Sequence, residues 1–153
     1  MPIVTDREGI RDILTRYRRI AVVGLSDNPD RPSNDVSAFM QEMGYEIYPV
    51  NPLLAGKKVL GRTVYASLAD LPMRPEIVNV FRRPVFVSEI ADQAIAVGAD
   101  VLWTQLFIVD DAAAQRASDA GLAVVQNHCL KIEFHKLGLS PVPARAEDGA
   151  AEQ

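Results

Sequence analysis

The chain has 153 residues, 48% of them apolar and 24% charged, with a formal net charge of −4. That is the length of one domain able to bury a core; the acidic balance speaks against a nucleic-acid partner, and no apolar run approaches the ~20 residues that span a bilayer. A single cysteine, Cys129, leaves no internal disulfide, and Met1–Asp6 shows no basic-then-apolar leader, so the expected location is cytoplasmic.

Asp6 to about Arg19 carries Ile10, Ile13, Leu14 and Tyr17 at helical spacing, with Thr5 or Asp6 placed to cap it. Ile20-Ala-Val-Val23 follows as a strand apolar on both faces, ended by Gly24. Ser26 to Pro32 is turn chemistry. Pro32, Ser33 and Asn34 then open a helix that runs to about Met43, with Val36, Phe39, Met40 and Met43 facing inward and Gly44 as its stop. Glu46–Val50 is the second strand, and a strand–helix–strand unit of this kind is parallel and right-handed. A loop with Gly56, Lys57, Lys58 and Gly61 leads to a short extended piece at Val64-Tyr65 and a capped turn over Ser67–Asp70. Glu76–Phe81 is the third strand, and a helix runs from Pro84 to Val97. Asp100–Trp103 is the fourth strand, followed by a helix from Asp110 to about Ala120. Ala123–Gln126 is the fifth, and Leu130–Lys136 the last helix.

Strands that alternate with helices define an α/β protein. The expected architecture is a Rossmann-like three-layer α/β/α fold with an open parallel five-stranded sheet in the order 3-2-1-4-5. One domain should cover residues 1–139, with a flexible tail over 140–153, rich in Pro, Ala and acids.

Ligands in such sheets bind beyond the carboxyl ends of the strands, where the strand order reverses. That crevice should be lined by Gly24–Ser26, Val50–Pro52, Phe81–Arg83 and Trp103–Gln105. The first N–H groups of the helix after Gly24 have no internal partners and suit a phosphate. A dinucleotide fingerprint is missing: Gly24 stands alone, and Val50-Asn51-Pro52 holds no acid for a ribose. Arg31, Lys57, Lys58, Arg82 and Arg83 gather instead near the strand ends, as a ligand with several phosphates requires. His128, Cys129, Glu133 and His135 match no zinc spacing and read as capping and packing, and Trp103 reads as core. No paired carboxylates stand at strand ends for acid–base work, so a binder without chemistry of its own is expected.

Five motifs in order resemble the small stand-alone CoA-binding proteins, whose fold is similar to the CoA-binding domain of the succinyl-CoA synthetase alpha subunit. They are Gly24-Leu-Ser26, Tyr48-Pro-Val-Asn-Pro52, Val80-Phe-Arg82, Leu102-Trp-Thr-Gln105 and Asn127-His-Cys-Leu-Lys-Ile-Glu133. Leu25 stands where the family usually has a small residue, and His128 where it often has arginine. The resemblance implies coenzyme A or an acyl-CoA as ligand. Gly24, Leu25, Ser26, Ser33 and Asn34 would surround the pyrophosphate, and Val50, Asn51 and Pro52 would flank the nucleoside. Phe81 and Arg82 would border it, Gln105 would line the crevice, and Arg31, Lys57 or Arg82 would take the 3′-phosphate. The expected partner is this small molecule, with no nucleic acid and no membrane, and a homodimer is the default assembly. The rival readings are an NADP-dependent or acyl-CoA-converting enzyme and an interaction subunit that binds no ligand.

Overall fold

Buried strands need cover on both faces, and the structure supplies it with two layers of helices. The structure is a computed structural model and describes residues 3–143. Its strands are β1 (Arg19–Val23), β2 (Glu46–Val50), β3 (Lys58–Val59), β4 (Arg62–Thr63), β5 (Ile77–Val80), β6 (Val101–Thr104) and β7 (Ala123–Val125). The helices are α1 (Arg7–Arg16), α2 (Pro32–Glu42), α3 (Val87–Ala96), α4 (Asp111–Asp119) and α5 (Leu130–Lys136). The main sheet is parallel, in the order β2-β1-β5-β6-β7, and β3 and β4 form a separate antiparallel hairpin. Among the described residues no helix is long and apolar enough to cross a membrane.

Side chains alternate across each strand and sort the core in two. Ile20, Val22, Ile77 and Trp103 pack on one face with Leu14, Met40 and Phe134 from α1, α2 and α5. Ala21, Val23, Val78, Val80 and Leu102 pack on the other with Ile90, Ala94 and Ala117 from α3 and α4. The caps fall where the sequence puts them: Asp6 Oδ1 accepts from Gly9 N–H at 3.3 Å, and Asp110 Oδ1 from Ala113 N–H at 3.0 Å. Helix α3 is shorter than expected, because Pro84–Phe86 forms a separate 3₁₀ turn before it.

The three-layer parallel α/β class is as expected, but the strand order is corrected. Counted along the chain, the five main strands run 2-1-3-4-5, not 3-2-1-4-5. The third strand, β5, lies against β1 rather than outside β2. One feature of the sequence agrees with this order. β2 carries Pro49, whose carbonyl accepts from Tyr65 N–H at 3.0 Å on the side away from β1. The missing N–H of Pro49 therefore faces the outer edge, where proline is tolerated. The extended piece at Val64-Tyr65 lies along that edge, bridging Val50 through Tyr65.

Glu76, just before β5, is 5% exposed. Its Oε1 accepts from Arg18 N–H at 2.8 Å and Arg19 N–H at 2.9 Å and so anchors the start of β1. At the other end of the chain, Val142 N–H donates to Met43 O at 2.8 Å. Of the tail expected over 140–153, residues 144–153 lie outside the described residues.

Candidate functional site

β1 has β2 on one side and β5 on the other. The helix after β1 packs on one face of the sheet and the helix after β5 on the opposite face. The chain therefore diverges above the carboxyl ends of β1 and β5, and a crevice opens there. Three strand ends converge on it: Gly24 N–H donates to Val50 O at 2.8 Å, and Phe81 N–H to Val23 O at 2.9 Å. Gly24 sits at φ +93°, and a Cβ there would lie 2.7 Å from Phe81 O and 2.9 Å from Arg82 Cδ. Its lack of a side chain serves this close approach of β1 and β5 as well as the turn.

The turn after Gly24 is tied by its own side chains. Ser26 N–H donates to Ser33 Oγ at 3.0 Å, and Asn34 Nδ2 donates to Ser26 O at 2.8 Å. Asn28 N–H donates to Ser26 Oγ at 3.0 Å. From β2, Asn51 Nδ2 donates to Leu25 O at 3.1 Å, while its Oδ1 accepts from Leu53 N–H at 3.0 Å. Asn34 and Asn51 thus shape the loop from outside. Leu25 is fully buried in the core, so only its backbone faces the loop. Arg31 is the N-cap of α2 and makes no side-chain cap bond; Pro32 has no N–H and the Asn34 N–H donates to Arg31 O at 3.0 Å, so the helix start offers the Ser33 N–H and the positive end of the dipole rather than a full set of open amides. A cleft of about 320 Å³ lies here, lined by Gly24, Ser26, Arg31, Pro32, Ser33 and Phe81.

A second cleft of about 280 Å³ lies on the β2 side of Gly24, with Val50, Pro52, Ser67, Arg82 and Phe86 among its walls. Arg82 crosses between the two: its stem rests on Gly24 and its guanidinium lies 4.1 Å from the Phe86 ring centre. That stacking holds the charge at the cleft while leaving its N–H edges for a ligand. Within β2, burial and the neighbouring Glu46 carboxylate push the Tyr48 phenol up to about 12, so it stays a neutral donor to Glu46 Oε1 at 3.0 Å.

A third cleft, of about 340 Å³, lies on the α2 side and is almost wholly apolar. Pro32, Val36 and Phe81 form one wall, and Gln105 to Ile108 with Cys129 the other. Gln105 is buried and donates through Nε2 to Asn79 Oδ1 at 2.7 Å.

Of the residues expected from sequence, the structure brings Gly24, Ser26, Arg31, Ser33 and Phe81 into one cleft, and Val50, Pro52 and Arg82 into the next. Gln105 reaches the third. Lys57 is exposed and lines none of the three among the described residues. Sequence reasoning misses Phe86, whose place three residues past Arg83 reads only as helix, and the lining roles of Val36 and Cys129, which read as packing. The 128–135 segment is structural in part: Trp103 Nε1 donates to His128 O at 2.8 Å, and His135 stacks on Phe39 at 4.8 Å. Among the described residues no three of His, Cys, Asp and Glu gather in a way that could hold a metal.

An open doubly wound sheet with a glycine turn and an uncapped helix N-terminus at its strand reversal is a Rossmann-like ligand-binding domain. More particularly, the chain belongs to the CoA binding domain family, which it matches over residues 18–135. It is similar to YneT of Bacillus subtilis, at 42% identity over 123 residues that span 80% of this chain and 90% of YneT. Among solved structures it is similar to a hypothetical protein from Pyrococcus horikoshii OT3, at 40% identity and a TM-score of 0.84, over 91% of this chain and 98% of that one. A Thermus thermophilus protein aligns at 31% identity and a TM-score of 0.83, over 87% of this chain and 99% of that one. The fold alone recurs in a dinucleotide-forming acetyl-coenzyme A synthetase from Ca. Korarchaeum cryptofilum, at 18% identity and a TM-score of 0.62, over 75% of this chain and 27% of that one.

Proposed function

We propose that the protein binds coenzyme A, free or as a thioester, at the carboxyl ends of β1, β2 and β5, and performs no chemistry on it. The observation that carries this reading is the N-terminus of α2 sharing a cleft with Arg31, Ser26 and Ser33, inside a chain of the CoA binding domain family. Backbone N–H groups, hydroxyls and one guanidinium are the donor set a pyrophosphate needs. The nucleoside would rest against Val50 and Pro52 in the second cleft. Arg82 lines that cleft and Lys57 does not, so we give the 3′-phosphate to Arg82.

Calorimetric titration with CoA, 3′-dephospho-CoA, NAD and NADP tests the reading. The expected result is tight binding of CoA, weakened when the 3′-phosphate is removed. A preference for NAD or NADP would overturn it in favour of a hydride-transfer enzyme, and silence from all four in favour of an interaction subunit.

A further inference from the structure

We infer that the apolar cleft between α2 and the 105–108 loop receives the acyl chain of a coenzyme A thioester, so that the protein prefers an acyl-CoA bearing a hydrocarbon chain to free CoA. The inference rests on the CoA reading above and adds the class of thioester. The cleft shares Pro32 and Phe81 with the glycine-turn cleft, so the two lie side by side on one continuous surface. A ligand anchored by its pyrophosphate at α2 therefore has this cleft within reach of its other end.

The chemistry of the walls selects among the parts of such a ligand. The pantetheine arm carries two amides, and each costs free energy when desolvated without a partner. Gln105 is the sole amide side chain in the walls, and its Nε2 is already committed to Asn79 Oδ1. Val36, Leu106, Ile108 and Cys129 offer only apolar or weakly polar surface. An aliphatic chain needs no hydrogen bonds and gains from each methylene buried, whereas the arm, with its amides, is better left along the polar rim.

The loop is held in place to present this surface. Phe107 and Asn127 both adopt left-handed backbone, at φ +67° and +61°. They are joined by Phe107 N–H donating to Asn127 Oδ1 at 2.6 Å. Thr104 Oγ1 donates to Ile108 O at 2.6 Å and fixes the far end. This bonding leaves Leu106 42% and Phe107 83% exposed at the mouth. Two apolar side chains are thus kept in water beside an apolar cleft, at the cost of backbone strain.

Titration of the full chain with CoA, acetyl-CoA and octanoyl-CoA, each below its micelle concentration, tests this. Each buried methylene should tighten binding about fourfold, so octanoyl-CoA is expected to bind at least tenfold more tightly than CoA. It should also slow alkylation of Cys129 by iodoacetamide more than CoA does; the chain has one cysteine, so the label reports this cleft alone. The substitution Leu106→Asp at the mouth should bring the octanoyl-CoA to CoA affinity ratio down toward one. Equal affinities for the three ligands would overturn the inference and leave the CoA reading standing. So would a preference that survives Leu106→Asp without protection of Cys129, because the chain would then lie elsewhere. Absence of binding by all three would overturn both.

Discussion

Arg82 and Gly24 are packed so closely that Arg82 Cδ lies 2.9 Å from where a Cβ on Gly24 would stand. With Phe81 O at 2.7 Å from the same point, the turn has no room for a side chain. Gly24→Ala therefore has to displace backbone and adopt a left-handed φ. We expect a loss of ~1–3 kcal/mol in stability and a fall in CoA affinity of at least about tenfold, because the strand ends that frame the clefts move apart. Urea unfolding and calorimetry on the same preparation check both.

Arg82 reaches the second cleft and Lys57 does not. Arg82→Ala should weaken CoA binding about tenfold, the size of one charge-assisted contact, and narrow the gap between CoA and 3′-dephospho-CoA. Lys57→Ala should change neither by more than about twofold, the effect of a distant solvated charge. The opposite ranking would move the 3′-phosphate to the β3–β4 hairpin.

Glu76 acts at the opposite end of the sheet. Its carboxylate holds the two amides that begin β1, and Arg19 Nη2 lies 3.8 Å from Oε2. Glu76→Ala leaves those amides without their acceptor and should cost ~2–4 kcal/mol of stability. Affinity for CoA, measured on the fraction still folded, should stay within about twofold. A loss of binding without a loss of stability would show that the two ends of the sheet are coupled.

Tyr45 contributes to the alkaline limit. Its hydroxyl donates to Leu14 O in the core, and burial pushes its phenol up from 10.0 to about 12. The folded chain thus keeps a proton that the unfolded chain releases near pH 10. The stability from this group is complete below pH 10 and is lost as pH rises toward 12. The expected loss is ~2 kcal/mol across that window. Tyr45→Phe should remove the Tyr45 share of this slope and leave that of Tyr48, whose phenol is likewise pushed up to about 12, while lowering stability by ~1 kcal/mol at pH 7. Melting temperatures from pH 7 to 12 on both proteins provide the test.

Local structure was legible because it is written in short patterns. The apolar run at Ile20–Val23, the acids at the starts of α1 and α4, and the glycines after the helices each carry their meaning within a few residues. Strand order is a long-range property, and Pro49 was the one residue that spoke to it. A proline between two apolar neighbours marks an edge strand, but the strong strand pattern around Pro49 masks that signal. Arg31 and Arg82, near strand ends along the chain, line clefts at the strand ends, whereas Lys57, in the loop before β3, is exposed and lines none of the three. Leu25 followed Gly24 in sequence but turned inward. Val36 and Cys129 look the same in sequence whether an apolar side chain meets the core or an open cleft, so the third cleft was visible only in three dimensions.

The bond from Val142 N–H to Met43 O gives α2 an attachment at the end far from the clefts. Gly44, at φ +103°, sits directly under Val142, with no room for a Cβ between them. Eleven residues of helix, a lever of ~16 Å, thus separate this bond from the Arg31 end of α2. A load on Val142 and Pro143 therefore meets two anchors, Met43 O under α2 and the Arg18 guanidinium, whose Nε donates to Pro143 O at 3.2 Å, whereas a load on Val4 meets β7 at the opposite edge of the sheet.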